Sequence, residues 1–148
     1  RPYCVKYFRQ RWYMLGDSDL GLRMSSLDRF VDMEELDQTF EIPEGFDAEG
    51  FFNKCFGVCL EDSPVVDVVI RVEDSQAKYF RSLPKHSSQK EADPIDGWTV
   101  FTYRLVPTFD FKQEILSYGA DVEVLAPESL RKEMADIAVA MNKLYRKK

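Results

Sequence analysis

The 148-residue chain has no long apolar run, a single histidine and only three cysteines. Its hydrophobic stretches are short pieces such as Val65–Val66 and Val68–Ile70, far below the ~20 residues a membrane-spanning helix needs. No basic-then-apolar leader opens it. Neither a membrane span nor a secretory signal is expected. Three cysteines cannot all pair, which favours free thiols in a reducing cytoplasm. Also missing are a Gly-rich phosphate loop, a zinc-protease helix and a G-x-S-x-G elbow, and with them familiar marks of nucleotide hydrolysis or acyl transfer. The expectation is a protein that is not an enzyme and carries no cofactor. Positive charge is in deficit as well: the formal net charge is −6. The molecule as a whole therefore repels nucleic acid at long range, and any contact with a polyanion must rest on a local patch.

What is present is a globular composition, 45% hydrophobic and 14% aromatic, richer in both than a disordered chain. There are no internal repeats and no low-complexity tract. The chain opens on Arg1 rather than Met, which reads as a fragment.

Residues 1–42 read as short strands, Tyr3–Phe8, Arg11–Leu15, Leu20–Ser26 and Phe30–Leu36, with Gly16-Asp17-Ser18-Asp19 as a turn by composition. Short antiparallel strands with tight turns suggest a small barrel, one that needs upstream residues or a partner to close it. Residues 43–62 form a connector marked by Ile42-Pro43-Glu44-Gly45, in which Asp47 caps a short helix through Phe56 that Gly57 ends.

From 63 to 148 the elements alternate. Pro64–Val72 is a strand, Asp74–Leu83 a helix, and Ser87–Ala92 with Trp98–Val106 a hairpin across Pro94-Ile95-Asp96-Gly97. A helix over Phe109–Tyr118 stops at Gly119, and a strand follows over Asp121–Leu125. Behind Pro127, Leu130, Met134, Ile137, Met141 and Leu144 recur at three and four, predicting a helix over Glu128–Tyr145. The order β-α-β-β-α-β-α is a split βαβ arrangement with a terminal helix. The fold class is α+β.

The first thirty residues invert the overall charge. Arg1, Lys6, Arg9, Arg11, Arg23 and Arg29 are six cations against Asp17, Asp19 and Asp28, a net of +3. A guanidinium fork suits bidentate phosphate contact, and Tyr7, Phe8, Trp12 and Tyr13 supply rings on which bases could stack. The competing reading is a solvated strand face with those aromatics inside the barrel, and Trp12 is assigned to the core. The Tyr13 hydroxyl suits either an arginine or a ligand. His86 reads as a turn or interface residue rather than a general base. Cys55 and Cys59, four apart, would share a helix face, yet too few further ligands exist for a metal site. The acidic run Asp32, Glu34, Glu35, Asp37 and Glu41 reads as a solvated edge rather than paired catalytic carboxylates.

Gln10-Arg11-Trp12-Tyr13-Met14-Leu15-Gly16 resembles the motif that names the WYL family, with Met14 where the family usually has Leu. Arg23-Met24-Ser25-Ser26-Leu27-Asp28-Arg29-Phe30 is similar to that family's second signature. Phe46-Asp47, Phe51-Phe52 and Phe56-Gly57-Val58 resemble its connector. Leu83-Pro84-Lys85-His86-Ser87-Ser88-Gln89 and Val124-Leu125-Ala126-Pro127 resemble its C-terminal extension. The resemblance implies an Sm-like, SH3-type barrel over 1–42, incomplete at its N-terminus, and a ferredoxin-like extension over 63–148. It further implies the effector-sensing region of a bacterial transcriptional regulator. An anionic ligand, nucleotide or single-stranded nucleic acid, would meet Arg11, Tyr13, Arg23 and Arg29, with Lys6 and Arg9 beside them. Operator DNA would be bound by a winged helix-turn-helix outside this chain, in a homodimer. The alternative is a dimerisation or protein-interaction module without a ligand.

Overall fold

The computed structural model describes residues 1–146, and its first unit is an open antiparallel sheet of three strands in the order β1-β2-β3. These are β1 (Pro2–Phe8), β2 (Arg11–Ser18) and β3 (Gly21–Ser26). Arg9 and Gln10 make the first reversal with φ of 46° and 65°. Two positive φ values in a two-residue loop match the twist of a hairpin. The turn expected at Gly16–Asp19 lies further on. Gly16 pairs with Pro2 on one side and Arg23 on the other, and Asp17 N–H donates to Arg1 O at 2.8 Å. Partners on both edges outweigh local turn preference, so β2 continues to Ser18.

The expected strand over Phe30–Leu36 does not form. After a single 3-10 turn at Leu27–Arg29 the chain is irregular, with Val31 fully exposed and Met33 nearly so. A strand needs pairing and a face to bury; this acidic run pairs with neither open edge of the sheet and leaves Val31 and Met33 in solvent. Consequently no closed barrel exists among the described residues. Trp12 is not a core residue either: it is 52% exposed and leans on its cross-strand neighbour Tyr7, ring centroids 5.2 Å apart. In an open sheet that face has nothing to cover it.

The connector helix α1 (Ala48–Phe52) ends well before Phe56, and the Asp47 side chain makes no cap hydrogen bond. The chain turns away because Lys54 O accepts from Val106 N–H at 2.7 Å and Cys55 bridges Val106. Cys55 and Cys59 therefore share no helix face. Among the described residues no three His, Cys, Asp or Glu side chains gather as a metal-holding group.

The second unit has the expected element order. Its sheet contains β4 (Val66–Val72), β5 (Lys90–Ile95), β6 (Trp98–Leu105) and β7 (Val122–Ala126), in the order β5-β6-β4-β7, every pair antiparallel. The helices are α2 (Asp74–Ser82), α3 (Phe109–Leu116) and α4 (Glu128–Arg146). Pro94 and Ile95 belong to β5, so only Asp96 and Gly97, with φ of 52° and 80°, make the hairpin turn. Proline is tolerated there because β5 is an edge strand. Val68, Ile70 and Val72 of β4 project into a core with Phe80, Phe101, Phe111, Ile115 and Leu130. α4 rests on β7 only at its start; beyond Ile137 every described residue of the helix is exposed. No helix among the described residues is long and apolar enough to cross a membrane.

The two units meet at a small polar and aromatic joint. Phe8 of β1 stands edge-on to Phe56, which stands edge-on to Phe111 of α3. Arg9 donates to Glu114 at 2.8 Å, and Lys85 lies 3.3 Å from the same carboxylate. Burial alone would push the Glu114 carboxyl up, but Arg9 and Lys85 together outweigh it and hold it below its ordinary range. On acidification the unfolded chain takes up this proton first, so the Arg9–Glu114 contribution is complete above the ordinary Glu value of ~4.3 and lost as pH falls through the lower folded value. The stability gap between wild type and Arg9→Ala, followed by urea denaturation, should be widest near neutrality and close below about pH 4. A gap unchanged at about pH 3 would contradict this linkage.

Candidate anion-binding site

Alternation along a strand sets two residues two positions apart on one face. Arg11 and Tyr13 of β2 are such a pair, and Ser26 of β3 lies directly across from Tyr13. Beside them is an open recess of about 500 Å³ whose rim and walls include Arg11, Tyr13, Arg23 and Arg29. Arg23, across from Gly16 on edge strand β3, belongs to the alternate face and borders the recess from the strand's open edge, while Arg29 comes from the 3-10 turn that follows it. The remaining wall is apolar: Leu20, Leu22 and Met24 from the sheet, and Val58, Cys59 and Leu60 from the connector.

The three guanidinium groups are not equivalent. Arg11 donates to Asp28 at 2.8 Å, both side chains being more than half exposed. Asp28 is held below the usual carboxylate range, first by its hydrogen bond with Ser26 and then by Arg11. A solvated, exposed pair of this kind contributes little, so Arg11 can leave it readily. Arg23 and Arg29 are exposed and form no ion pair with any described residue. Among the described residues neither guanidinium is held by a carboxylate, although the Arg29 charge also helps to lower the Asp28 carboxyl.

Lys6 and Arg9 lie elsewhere, in the joint between the units. The Lys6 ammonium donates to Gly57 O at 2.9 Å and sits 4.3 Å from the Phe52 ring centroid. Arg9 is taken by Glu114. His86 occupies a turn, its Nδ1 accepting from Ser88 N–H while Nε2 is buried without a partner. Burial, then the nearby Lys6 charge, lowers its pKa and favours the neutral ring.

The connector wall is positioned by a residue that the sequence reading passed over. Asp110, buried in the first turn of α3, accepts from Val58 N–H at 2.7 Å and Cys59 N–H at 2.9 Å through one oxygen. Gly57 has φ of +82°, and a Cβ there would meet that oxygen at 2.2 Å. Thr108 secures the preceding carbonyl, donating to Phe56 O at 2.8 Å. Burial, with the Asp110 charge next, pushes the Cys59 thiol up to about 11, so it stays protonated at neutral pH and is a poor nucleophile. The sequence signal available was an acid near the start of a helix, which by composition alone is ordinary.

Comparison with family models matches residues 64–141, more than half of the chain, to the WCX domain. The chain belongs to the WCX-domain family. The match covers β4 through most of α4, so the recess lies mostly ahead of the WCX segment and is braced from within it by Asp110. Among solved structures, the WCX-containing chain is similar to proteasome accessory factor B/C (PafBC) of Arthrobacter aurescens, at 20% identity and a TM-score of 0.39. That similarity covers 90% of this chain and 20% of the PafBC chain, so this chain spans about a fifth of that protein's length. No curated protein matches.

Gly57→Ala should destabilise the protein by about 2 kcal/mol or more, because it combines a disfavoured φ with displacement of a buried carboxylate from two N–H donors. Chemical denaturation would measure it. A loss under about 0.5 kcal/mol would show that the loop relaxes freely and that Asp110 does not hold the wall.

Proposed function

We propose that this chain is the ligand-sensing region of a bacterial transcriptional regulator, in which a WYL-type sheet takes an anionic ligand and the WCX domain braces the site. The observation that carries the reading is the gathering of Arg11, Tyr13, Arg23 and Arg29 on one open recess, with Arg23 and Arg29 unpaired among the described residues. The WYL-like motifs of residues 10–30 and the WCX match support the regulatory setting. In this reading the first sheet is the described part of an Sm-like barrel. The β5-β6-β4-β7 order, with helices between the outer and inner strands, supports a ferredoxin-like extension. A ligand pressing on Val58–Leu60 pushes on a wall hydrogen-bonded to α3. It therefore favours one placement of the two units over another, and this bias alters DNA binding by a helix-turn-helix elsewhere in the full-length protein.

The test is titration of a labelled short thymidine oligonucleotide at several salt concentrations. Binding should weaken steeply with salt, and Arg23→Ala with Arg29→Ala should reduce the log–log slope by about 1.4, roughly 0.7 for each lost single-strand contact. Equal affinity and slope in wild type and double variant would reject the site.

A second reading, a homodimer through α4, is favoured by one observation. Met141, Leu144 and Tyr145 are exposed on a helix that has left the protein body, and they continue the three-and-four stripe of Leu130 and Met134. Pairing of this stripe with its counterpart on a second copy would bury those side chains as the seam of a two-helix interface. Sedimentation should show a dimer that Leu144→Asp dissociates. A monomeric wild type at about 100 μM would exclude an interface of useful strength.

A further inference from the structure

The recess that carries the arginines is not isolated. A second hollow, of about 570 Å³, lies on the other side of Leu22 and Leu60, and both leucines line both spaces. Its floor is apolar, from Phe51, Cys55, Val65 and Val106. Leu22, Leu60 and Val65 are each nearly 40% exposed, and Leu20 is 76% exposed. Scattered surface aliphatics need no explanation, but a contiguous group adjoining two unpaired arginines marks a binding surface.

The two hollows differ in charge as well as polarity. The first holds Arg11, Arg23 and Arg29; the second is flanked by Glu61 and Asp62. Glu61 is held in place there, accepting from Phe109 N–H at the start of α3. A polyanion entering beyond the leucines would bring its next phosphates toward these carboxylates, whereas an uncharged apolar chain would meet no repulsion. Nor does the second hollow offer a track of cations for a phosphate backbone: Lys54 is its single basic residue.

Resting on the anion site proposed above, we propose that the natural ligand is a small amphiphilic anion. Its phosphate or carboxylate head meets Arg23 and Arg29, and its alkyl or acyl body crosses Leu22 and Leu60 into the apolar hollow. The head supplies charge recognition and the body supplies selectivity. Each methylene fully buried is worth roughly fourfold in affinity. A ligand using both hollows therefore outcompetes a bare anion by a wide margin.

Competition against the labelled oligonucleotide on the whole chain tests this, with octyl phosphate below its micelle concentration, methyl phosphate and octyl glucoside as probes. Octyl phosphate should displace the oligonucleotide at a concentration at least about fifty-fold below methyl phosphate, which roughly three buried methylenes would supply. Octyl glucoside, with the chain but no charge, should compete poorly. Val65→Asp should erase the advantage of the octyl chain and leave methyl phosphate unchanged; the milder Val65→Ser, in the same apolar hollow alone, serves the same purpose should the first variant fold poorly. Octyl and methyl phosphate competing equally, with both lost in the Arg23→Ala, Arg29→Ala protein, would overturn the amphiphile and leave the anion site standing. Direct titration with octyl phosphate covers the case in which the oligonucleotide does not bind. Failure of every anion in both formats would overturn the amphiphile and the anion site together.

Discussion

One buried carboxylate joins the two halves of this molecule. Asp110 belongs to the WCX domain, yet both hydrogen bonds it accepts come from the connector, from Val58 and Cys59. A buried charge without partners is costly, and partners supplied by another segment make that segment's position a condition of folding. Gly57 is the complementary requirement, since the loop can close over the carboxylate only without a Cβ and with a left-handed backbone. The connector wall depends on this clasp. It fixes Val58–Leu60, which become one wall of the cationic recess and the divide between the two hollows.

The remainder of the joint is slight by comparison. Within the first sheet Leu15 is the residue wholly withdrawn from solvent, and contact with the second unit runs through Lys6, the Phe8 ring and Arg9. The large core lies entirely in the second unit and its connector. Local stability follows buried apolar contact, so the first sheet is the part of the molecule whose placement costs least to change. That unevenness fits the proposed sensing role: a rigid body holds one wall, and a lighter sheet carries the charges.

Much of the fold was legible along the chain where periodicity was strong. The Leu130–Met134–Ile137 stripe, the β4 alternation and the Asp96-Gly97 turn each declare their structure locally, and the order of elements after residue 63 followed from them. The failures share one cause. Phe30–Leu36 has strand composition but pairs with neither open edge of the sheet, Gly16–Ser18 has turn composition but a pairing partner on each side, and Trp12 is a core type on a face with no cover. In each, contacts made by distant residues decided the outcome against local preference.

By itself the sequence determined that Arg1, Lys6, Arg9, Arg11, Arg23 and Arg29 form a basic island in an acidic protein, and that helices and strands alternate behind it, because charge and hydrophobic period are properties of near neighbours. Only the tertiary structure decided which cations share a recess. It drew Lys6 and Arg9 into the joint, paired Arg11 with Asp28, left Arg23 and Arg29 free among the described residues, and set an aspartate fifty residues away as the anchor of the facing wall. Those choices depend on which carboxylates and backbone groups arrive alongside when the chain closes. No local pattern records them.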